Sequence, residues 1–169
     1  VPMSNVRAQA DVKAAANWEI VALDLDRRYT HQELALDEVV RPLWHTIGNT
    51  LEHLGIAADA EPLRVTIRSA VPIARGMGSG TAVATALVRA VAAHHGRRIG
   101  EADVCDLVFR TEVLLHGRPS GIDNTVVGLE RPVFYVRGEP PQPLDVGASL
   151  TLLVVDSGVA ASTMEAVNR

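Results

Sequence analysis

The fold of this chain is decided by the stretch PIARGMGSGT, which occupies residues 72–81. An alternating run over residues 63–71 precedes it and predicts a β-strand, and an Ala-rich run from Ala82 to about His95 follows it and predicts a buried helix. Glycines let the backbone turn tightly, and the N–H groups in the first turn of a helix bind anions. A strand, a glycine loop and a helix start therefore predict a phosphate site.

The charges around the glycine loop favour the same ligand. Between Pro62 and Gly100 there are six arginines and no carboxylate. A tight turn at a good helix start, with no ligand, would explain the loop on its own equally well. The loop is not a Walker A loop, because no Gly-Lys-Ser/Thr follows, and its third glycine comes one residue too early for a dinucleotide fingerprint.

Length and composition narrow the class of protein. The 169 residues, 47% of them hydrophobic, suit one domain or one domain and part of another. A net charge of −4 argues against nucleic acid as a partner. Cys105 is the only cysteine, which excludes a disulfide within the chain and fits the cytoplasm. No apolar run approaches the roughly 20 residues of a membrane span, so we expect no membrane association.

The hydrophobic periodicity predicts an α+β fold. We expect the first two strands to pair antiparallel, and we expect a proline-rich connection over residues 138–143. The chain starts with Val1-Pro2 and ends in residues that resemble a helix just begun, so we expect a fragment of a longer protein. The predicted strands cover residues 3–13, 18–26, 63–71, 132–136 and 150–156, and the predicted helices cover about 36–54, 82–95, 101–116 and 125–129.

Three polar residues near the end of the third helix can carry chemistry. Glu112 lies four residues before His116, on the same helix face. Asp123 follows a Ser-Gly turn. Taken singly, each residue has an ordinary structural explanation. Glu112 would be a partly solvated acid, His116 a core or surface histidine, and Asp123 a helix cap.

Taken together, these residues carry a family resemblance. Residues 112–124 read EVLLHGRPSGIDN and resemble the signature of the mevalonate kinases, an acid followed by H-G-x-P-S-G-x-D-N. The glycine loop resembles the phosphate loop of that family, P-x-x-x-G-L-G-S-S, and by itself would indicate only the wider GHMP kinase superfamily. Asp156-Ser157-Gly158 followed by Ser162-Thr163 is similar to the third motif, D-T-G then S-T. The three motifs occur in the family's order over about residues 63–169.

The resemblance implies a fold and an activity. Residues 1–147 would form a GHMP kinase N-terminal domain, like the second domain of ribosomal protein S5, incomplete at its start and with helices on one side of a sheet. Residues 148–169 would begin the C-terminal domain. The implied activity is ATP-dependent phosphorylation of the 5-hydroxyl of mevalonate in isoprenoid precursor biosynthesis, and the resemblance also allows a homodimer. The alternatives are another GHMP kinase, such as phosphomevalonate kinase, and a non-catalytic GHMP-like domain that binds nucleotide.

The resemblance also implies roles for individual residues. Glu112 and Ser79 would hold Mg²⁺, and Asp123 would act on the attacking hydroxyl as general base or orienting acceptor. The substrate would lie among His116, Ser120, Gly121, Asp123 and Thr163. The phosphates of ATP would be bound by the residues of the glycine loop: Arg75, Gly76, Met77, Gly78, Ser79, Gly80 and Thr81.

The sequence departs from the family pattern at two places. Gly80 stands where the family has the second serine of G-L-G-S-S, which is expected to contact Mg²⁺, so Ser79 or Thr81 would have to supply that hydroxyl. The N-terminal motif P-G-K-x-x-L-x-G-E-H is absent from this chain, and the only lysine, Lys13, has a different sequence context. We therefore expect the chain alone to be inactive.

Overall fold

The computed structural model describes residues 5–30, 32–33, 36–57, 61–73, 75–148, 151, 153 and 155. The third motif, including Thr163, lies outside these residues, as does most of the predicted second domain. The described elements are, in chain order, β1 (Ala8–Ala14), β2 (Glu19–Ala22), β3 (Arg27–Thr30), α1 (Arg41–His53), β4 (Leu63–Ser69), α2 (Ser79–His94), α3 (Glu101–His116), α4 (Ile122–Leu129), β5 (Val133–Phe134) and β6 (Gln142–Pro143).

The main sheet has the strand order β1-β4-β2-β3. Strand β4 pairs antiparallel with β1 and parallel with β2, while β2 and β3 form an antiparallel pair. The prediction that β1 and β2 pair with each other is therefore wrong, because β4 lies between them. β4 is suited to the interior of the sheet because the side chains of Leu63, Val65 and Ile67 are all buried. Strands β5 and β6 form a separate two-stranded sheet.

Several predicted boundaries change. The strand predicted over residues 18–26 ends at Ala22, because Leu23–Leu25 form a 3-10 turn and Asp26 has a φ of 49°. This turn reverses the chain into β3, which the sequence pattern does not predict. The first helix begins at Arg41 rather than Leu36, with Pro42 in its first turn, where a missing N–H costs nothing.

Two further boundaries change near the end of the described chain. The fourth helix begins at Ile122, three residues earlier than predicted. Strand β6 lies within the stretch that we expected to be only a connection. The bounds of α3, Glu101–His116, agree with the prediction.

One face of the main sheet packs against α1 and α2. The buried core there includes Ile20 and Val65 from the sheet, Ile47 and Leu51 from α1, and Leu87 from α2. A second cluster joins α2 to α3 through Ala84, Val88, Val104, Leu107 and Val108. Helix α2 therefore lies between the sheet and α3, which confirms the prediction of a buried helix and gives its N-terminus a rigid position.

The opposite face of the sheet carries charge. Glu19 of β2 pairs with Arg28 of β3 and with Arg64 of β4. Hydrogen bonds from these two guanidinium groups hold the pKa of Glu19 below its usual range. Farther along the chain, Arg89 pairs with Glu130. At least two of the six arginines around the glycine loop are therefore engaged elsewhere, so the charge surplus in the sequence does not all reach the loop.

None of the helices in the described part of the chain is long and apolar enough to cross a membrane.

Candidate active site

The glycine loop leads directly into α2. Gly76 and Gly78 both have a φ of 67°, a left-handed conformation that side-chain-bearing residues rarely adopt. Gly78 is the N-cap of α2, and the first turn of the helix contains no acidic residue. The N–H groups of a first helical turn have no acceptor within their own helix. They point out of the helix end and are suited to bind an anion such as phosphate.

Asp123 lies beside this loop. It is the second residue of α4, and its side chain is exposed. A Cβ built on Gly78 would lie 3.8 Å from both Cγ and Oδ2 of Asp123, so the carboxylate borders the N-cap of α2. The N-cap of α4 is Gly121, which makes no side-chain cap hydrogen bond. Asp123 is therefore not the helix cap that its local sequence suggests, and its carboxylate lies beside the glycine loop.

Glu112 connects α3 to the same place. Its side chain is buried, with the residue 6% exposed, and its Oε1 accepts a hydrogen bond of 2.7 Å from the hydroxyl of Thr81. Its Oε2 lies 3.5 Å from Nε2 of His116, one turn further along α3. A buried carboxylate needs such partners, because burying an unpaired charge costs far more than a hydrogen bond contributes. The last turn of α3 is thereby joined to the first turn of α2.

The groups around Glu112 fit a hard cation. Magnesium prefers oxygen ligands and is usually bound by one or two carboxylates together with substrate phosphates. Within the described residues, no three or more His, Cys, Asp or Glu side chains are grouped so as to hold a metal. An ion at Glu112 would therefore take its other ligands from hydroxyls, water and phosphate. Of the two candidate hydroxyls, that of Thr81 is the one in contact with Glu112.

The remaining predicted residues surround these contacts. Gly80 is exposed, and a Cβ placed on it would lie 3.6 Å from Cδ1 of Leu115, which is an ordinary contact distance. Ser120 is exposed, and its hydroxyl accepts a hydrogen bond of 3.3 Å from the N–H of Ile122. Arg75, Met77 and Ser79 are each half-buried in the loop or at the start of α2.

Two residues that contact the site do not appear in any of the sequence motifs. Tyr135 and Arg137 both donate hydrogen bonds to the loop between α3 and α4. They lie 15 and 18 residues beyond the carbonyls that they contact. No helical or strand spacing relates positions so far apart, so only the fold could reveal them.

The extent of the site agrees with a comparison to known families. Residues 41–130 match the family model described as GHMP kinases N terminal domain. The chain belongs to the GHMP kinase family. The match runs from the first residue of α1 to the residue after α4, and so contains the glycine loop, Glu112 and Asp123. The family resemblance and the α+β fold that it implies are confirmed.

Individual GHMP kinase relatives cover the chain to different extents. The mevalonate kinase of Aeropyrum pernix is 33% identical over 107 residues, which are 63% of this chain and 33% of that protein. The mevalonate kinase of Pyrococcus abyssi is 29% identical over 165 residues, which are 96% of this chain and 47% of that protein. The crystal structure of L. major mevalonate kinase in complex with R-mevalonate has the same fold, with a TM-score of 0.70 and 20% identity, covering 96% of this chain and 50% of that one. The chain thus spans about a third to a half of the length of these relatives.

Replacing Thr81 by valine is expected to destabilise the protein by about 1.5–3 kcal/mol, because a buried carboxylate oxygen loses its hydrogen bond. Thermal or denaturant unfolding of the product of the complete gene measures this. Thr85→Val is the matched control, because Thr85 is buried one turn further along α2 and its hydroxyl has no hydrogen-bond partner among the described residues. Equal effects of the two substitutions would mean that the contact between Thr81 and Glu112 does not stabilise the fold.

Proposed function

We propose that the protein containing this chain transfers the γ-phosphoryl group of ATP to the 5-hydroxyl of mevalonate. The observation that carries the proposal is the position of the Asp123 carboxylate against Gly78 of the glycine loop. In the proposed reaction this carboxylate would be a proton acceptor next to the phosphates, and phosphoryl transfer to an alcohol depends on such positioning. The choice of mevalonate is supported by the names of the relatives from Aeropyrum pernix and Pyrococcus abyssi.

In this proposal the glycine loop and the first turn of α2 hold the phosphates of ATP, from Arg75 through Gly76, Met77, Gly78, Ser79 and Gly80 to Thr81. The alcohol lies beside them, near His116, Ser120, Gly121 and, outside the described residues, Thr163. The hydroxyl oxygen attacks the γ-phosphorus as the bond from that phosphorus to the β–γ bridging oxygen breaks. The hydroxyl proton passes to Asp123, and ADP leaves. Such a reaction depends mainly on positioning and charge neutralisation.

We propose Mg²⁺ as the metal, held by Glu112 with a hydroxyl from Ser79 or Thr81. The chemistry that Mg²⁺ supplies when bound is neutralisation of the phosphate charge. Glu112 suits this role because it is buried, so water screens its charge weakly. The contact with Thr81 favours Thr81 as the accompanying hydroxyl. A cytoplasmic location and a homodimer stay predictions from the sequence.

A substrate assay on the product of the complete gene tests the proposed function. ADP release and the phosphorylated product are measured with mevalonate, phosphomevalonate, homoserine and galactose as acceptors. We expect 5-phosphomevalonate as the main product. Preference for another acceptor would move the protein to a different GHMP kinase activity. Binding of ATP in calorimetry without turnover of any acceptor would identify a nucleotide-binding domain instead.

Replacing Glu112 by glutamine is expected to raise the Mg²⁺ concentration needed for half-maximal activity and to lower kcat by at least about tenfold. The side chain keeps its shape, but the metal would lose one negatively charged ligand. Titration of the activity with Mg²⁺ measures both effects. Glu139→Gln, a change of the same type at an exposed position after β5, serves as the control. Superimposable Mg²⁺ titrations for Glu112→Gln and wild type would make Glu112 a structural residue.

A further inference from the structure

Side-chain hydrogen bonds contact the backbone of the loop between α3 and α4. Its three last carbonyls, those of residues 119–121, each accept a hydrogen bond from a side chain. The carbonyl of residue 119 accepts one from the Arg137 guanidinium, and that of residue 120 accepts one of 2.8 Å from the Tyr135 hydroxyl. The carbonyl of residue 121 accepts one of 2.7 Å from the Thr125 hydroxyl. Tyr135 and Arg137 thereby join two consecutive peptide groups of the loop to the chain beyond α4, while the Thr125 contact lies within the first turn of α4.

Tyr135 also occupies the space beside Gly121. A Cβ built on Gly121 would overlap the Tyr135 hydroxyl oxygen and would lie 3.7 Å from Cε2 of Phe109. Gly121 has a φ of 87°, a conformation that favours glycine. A side chain at this position would therefore displace the Tyr135 hydroxyl. Gly121 is itself buried, so neighbouring groups enclose the backbone at this point of the loop.

The position of this loop determines the position of Asp123. Gly121 is the N-cap of α4, and Asp123 follows it by two residues in the first turn. On its other side the loop follows the last turn of α3, which carries Glu112. The separation between the Asp123 carboxylate and Gly78 therefore depends on where residues 119–121 lie. The hydrogen bonds of Tyr135 and Arg137 go to the loop, so an effect of these two residues on Asp123 would pass through the loop.

We propose that Tyr135 and Arg137 are positioning residues that clamp residues 119–121 and so hold Asp123 against the glycine loop. The inference rests on the proposed function, because it assigns these two residues to the same site. A misplacement of about 1 Å at a reacting group can cost about a hundredfold in rate, so loss of one of several clamping contacts should cost less than that but remain easily measurable. The proposed nucleotide contacts lie on the glycine loop and the first turn of α2 and should not change.

The test uses Tyr135→Phe in the product of the complete gene, which removes one hydroxyl and keeps the ring. We expect kcat to fall about tenfold, while the KM for ATP stays within about twofold of wild type. We also expect faster hydrogen exchange at the amides of residues 120–125. Tyr29→Phe is the matched control, because Tyr29 lies in the core of the main sheet, and it should change neither the kcat nor the exchange of residues 120–125.

A second variant tests whether the effect is specific to Tyr135 or is shared by the other residue of the clamp. Arg137→Met should lower kcat and speed the exchange of residues 120–125 in the same way. Arg110→Met should do neither, because Arg110 forms an exposed ion pair with Asp106 on α3. Unchanged kcat in both Tyr135→Phe and Arg137→Met would overturn the proposal, even if their melting temperatures fell, because such a result describes a purely structural contact.

Failure of the proposed function would be recognised separately. If wild type phosphorylates an alcohol other than mevalonate, kcat is measured with that alcohol instead. A kcat of Tyr135→Phe that is about tenfold lower then supports the clamp. If wild type has no kinase activity, hydrogen exchange decides. Faster exchange confined to residues 120–125 then supports the clamp, and exchange identical to wild type overturns it.

Discussion

Replacing Asp123 by asparagine is expected to lower kcat by about 10²–10⁴, the usual span for a positioned acid–base group, while ATP affinity and the KM for mevalonate stay close to wild type. Asparagine keeps the shape of the side chain but cannot accept the hydroxyl proton. The substitution should leave the fold intact, because Asp123 is exposed and the N-cap of α4 is Gly121. Steady-state kinetics on the product of the complete gene, with a thermal melt beside them, measure the effect.

Asp103→Asn is the matched control for this prediction. Asp103 is also an exposed acid in the first turn of a helix, that of α3, and its carboxylate lies 3.9 Å from the His53 ring. Its replacement should leave kcat within about twofold of wild type. Were kcat of Asp123→Asn to stay within about threefold of wild type, Asp123 would have no part in the chemistry. The proposal of mevalonate phosphorylation would then lose the observation that carries it.

Replacing Gly78 by valine is expected to abolish ATP binding. Gly78 has a φ of 67°, and a β-branched residue in this conformation is strained by about 1–2 kcal/mol or more. Relief of that strain would rotate the peptide groups at the start of α2, so the N–H groups would no longer point at one place. The Cβ of the added valine side chain would also lie 3.8 Å from Cγ and Oδ2 of Asp123. Calorimetric titration with ATP measures the loss.

Gly48→Val controls for the added bulk. Gly48 lies in α1 without a left-handed φ, and apart from its chain neighbours and the backbone of α1, a Cβ there would meet no described heavy atom within 4 Å. This variant should bind ATP like wild type. The phosphate site would have to lie elsewhere if Gly78→Val remained folded and bound ATP with unchanged affinity. A melt of both variants distinguishes lost binding from lost folding.

The sequence predicts local elements well because they depend on neighbouring residues. The bounds of α3 agree with the prediction since its apolar spacing is regular and Gly117 ends it. The pairing of the strands, in contrast, depends on residues far apart in the sequence and is not predicted. Residues 3–13 and 18–26 run in opposite directions as expected, but nothing in either segment shows that β4 lies between them. Strand β3 is missed because only Tyr29 among its four residues is buried.

In the candidate site, too, local motifs are predictable from the sequence and long-range contacts are not. The motifs name Glu112, Asp123 and the glycine loop, because each follows a recognisable spacing. They do not say which hydroxyl faces Glu112, since Thr81 and Glu112 are 31 positions apart in the sequence and meet only through the packing of α2 on α3. They also give no sign of Tyr135, whose contact with the loop depends on how the chain returns after α4.

The central place of β4 has a consequence for how the chain acquires its structure. Ala8 of β1 pairs with Ser69 of β4, roughly sixty residues later in the sequence. During synthesis at about 5–20 residues per second, β4 therefore emerges about 3–12 seconds after β1. Strands β2 and β3, which are close in sequence, can pair as soon as both have emerged. An unpaired strand edge is prone to wrong pairing. The interval between the emergence of β1 and the emergence of β4 is therefore the period in which the nascent sheet is most open to misassembly and to chaperone binding.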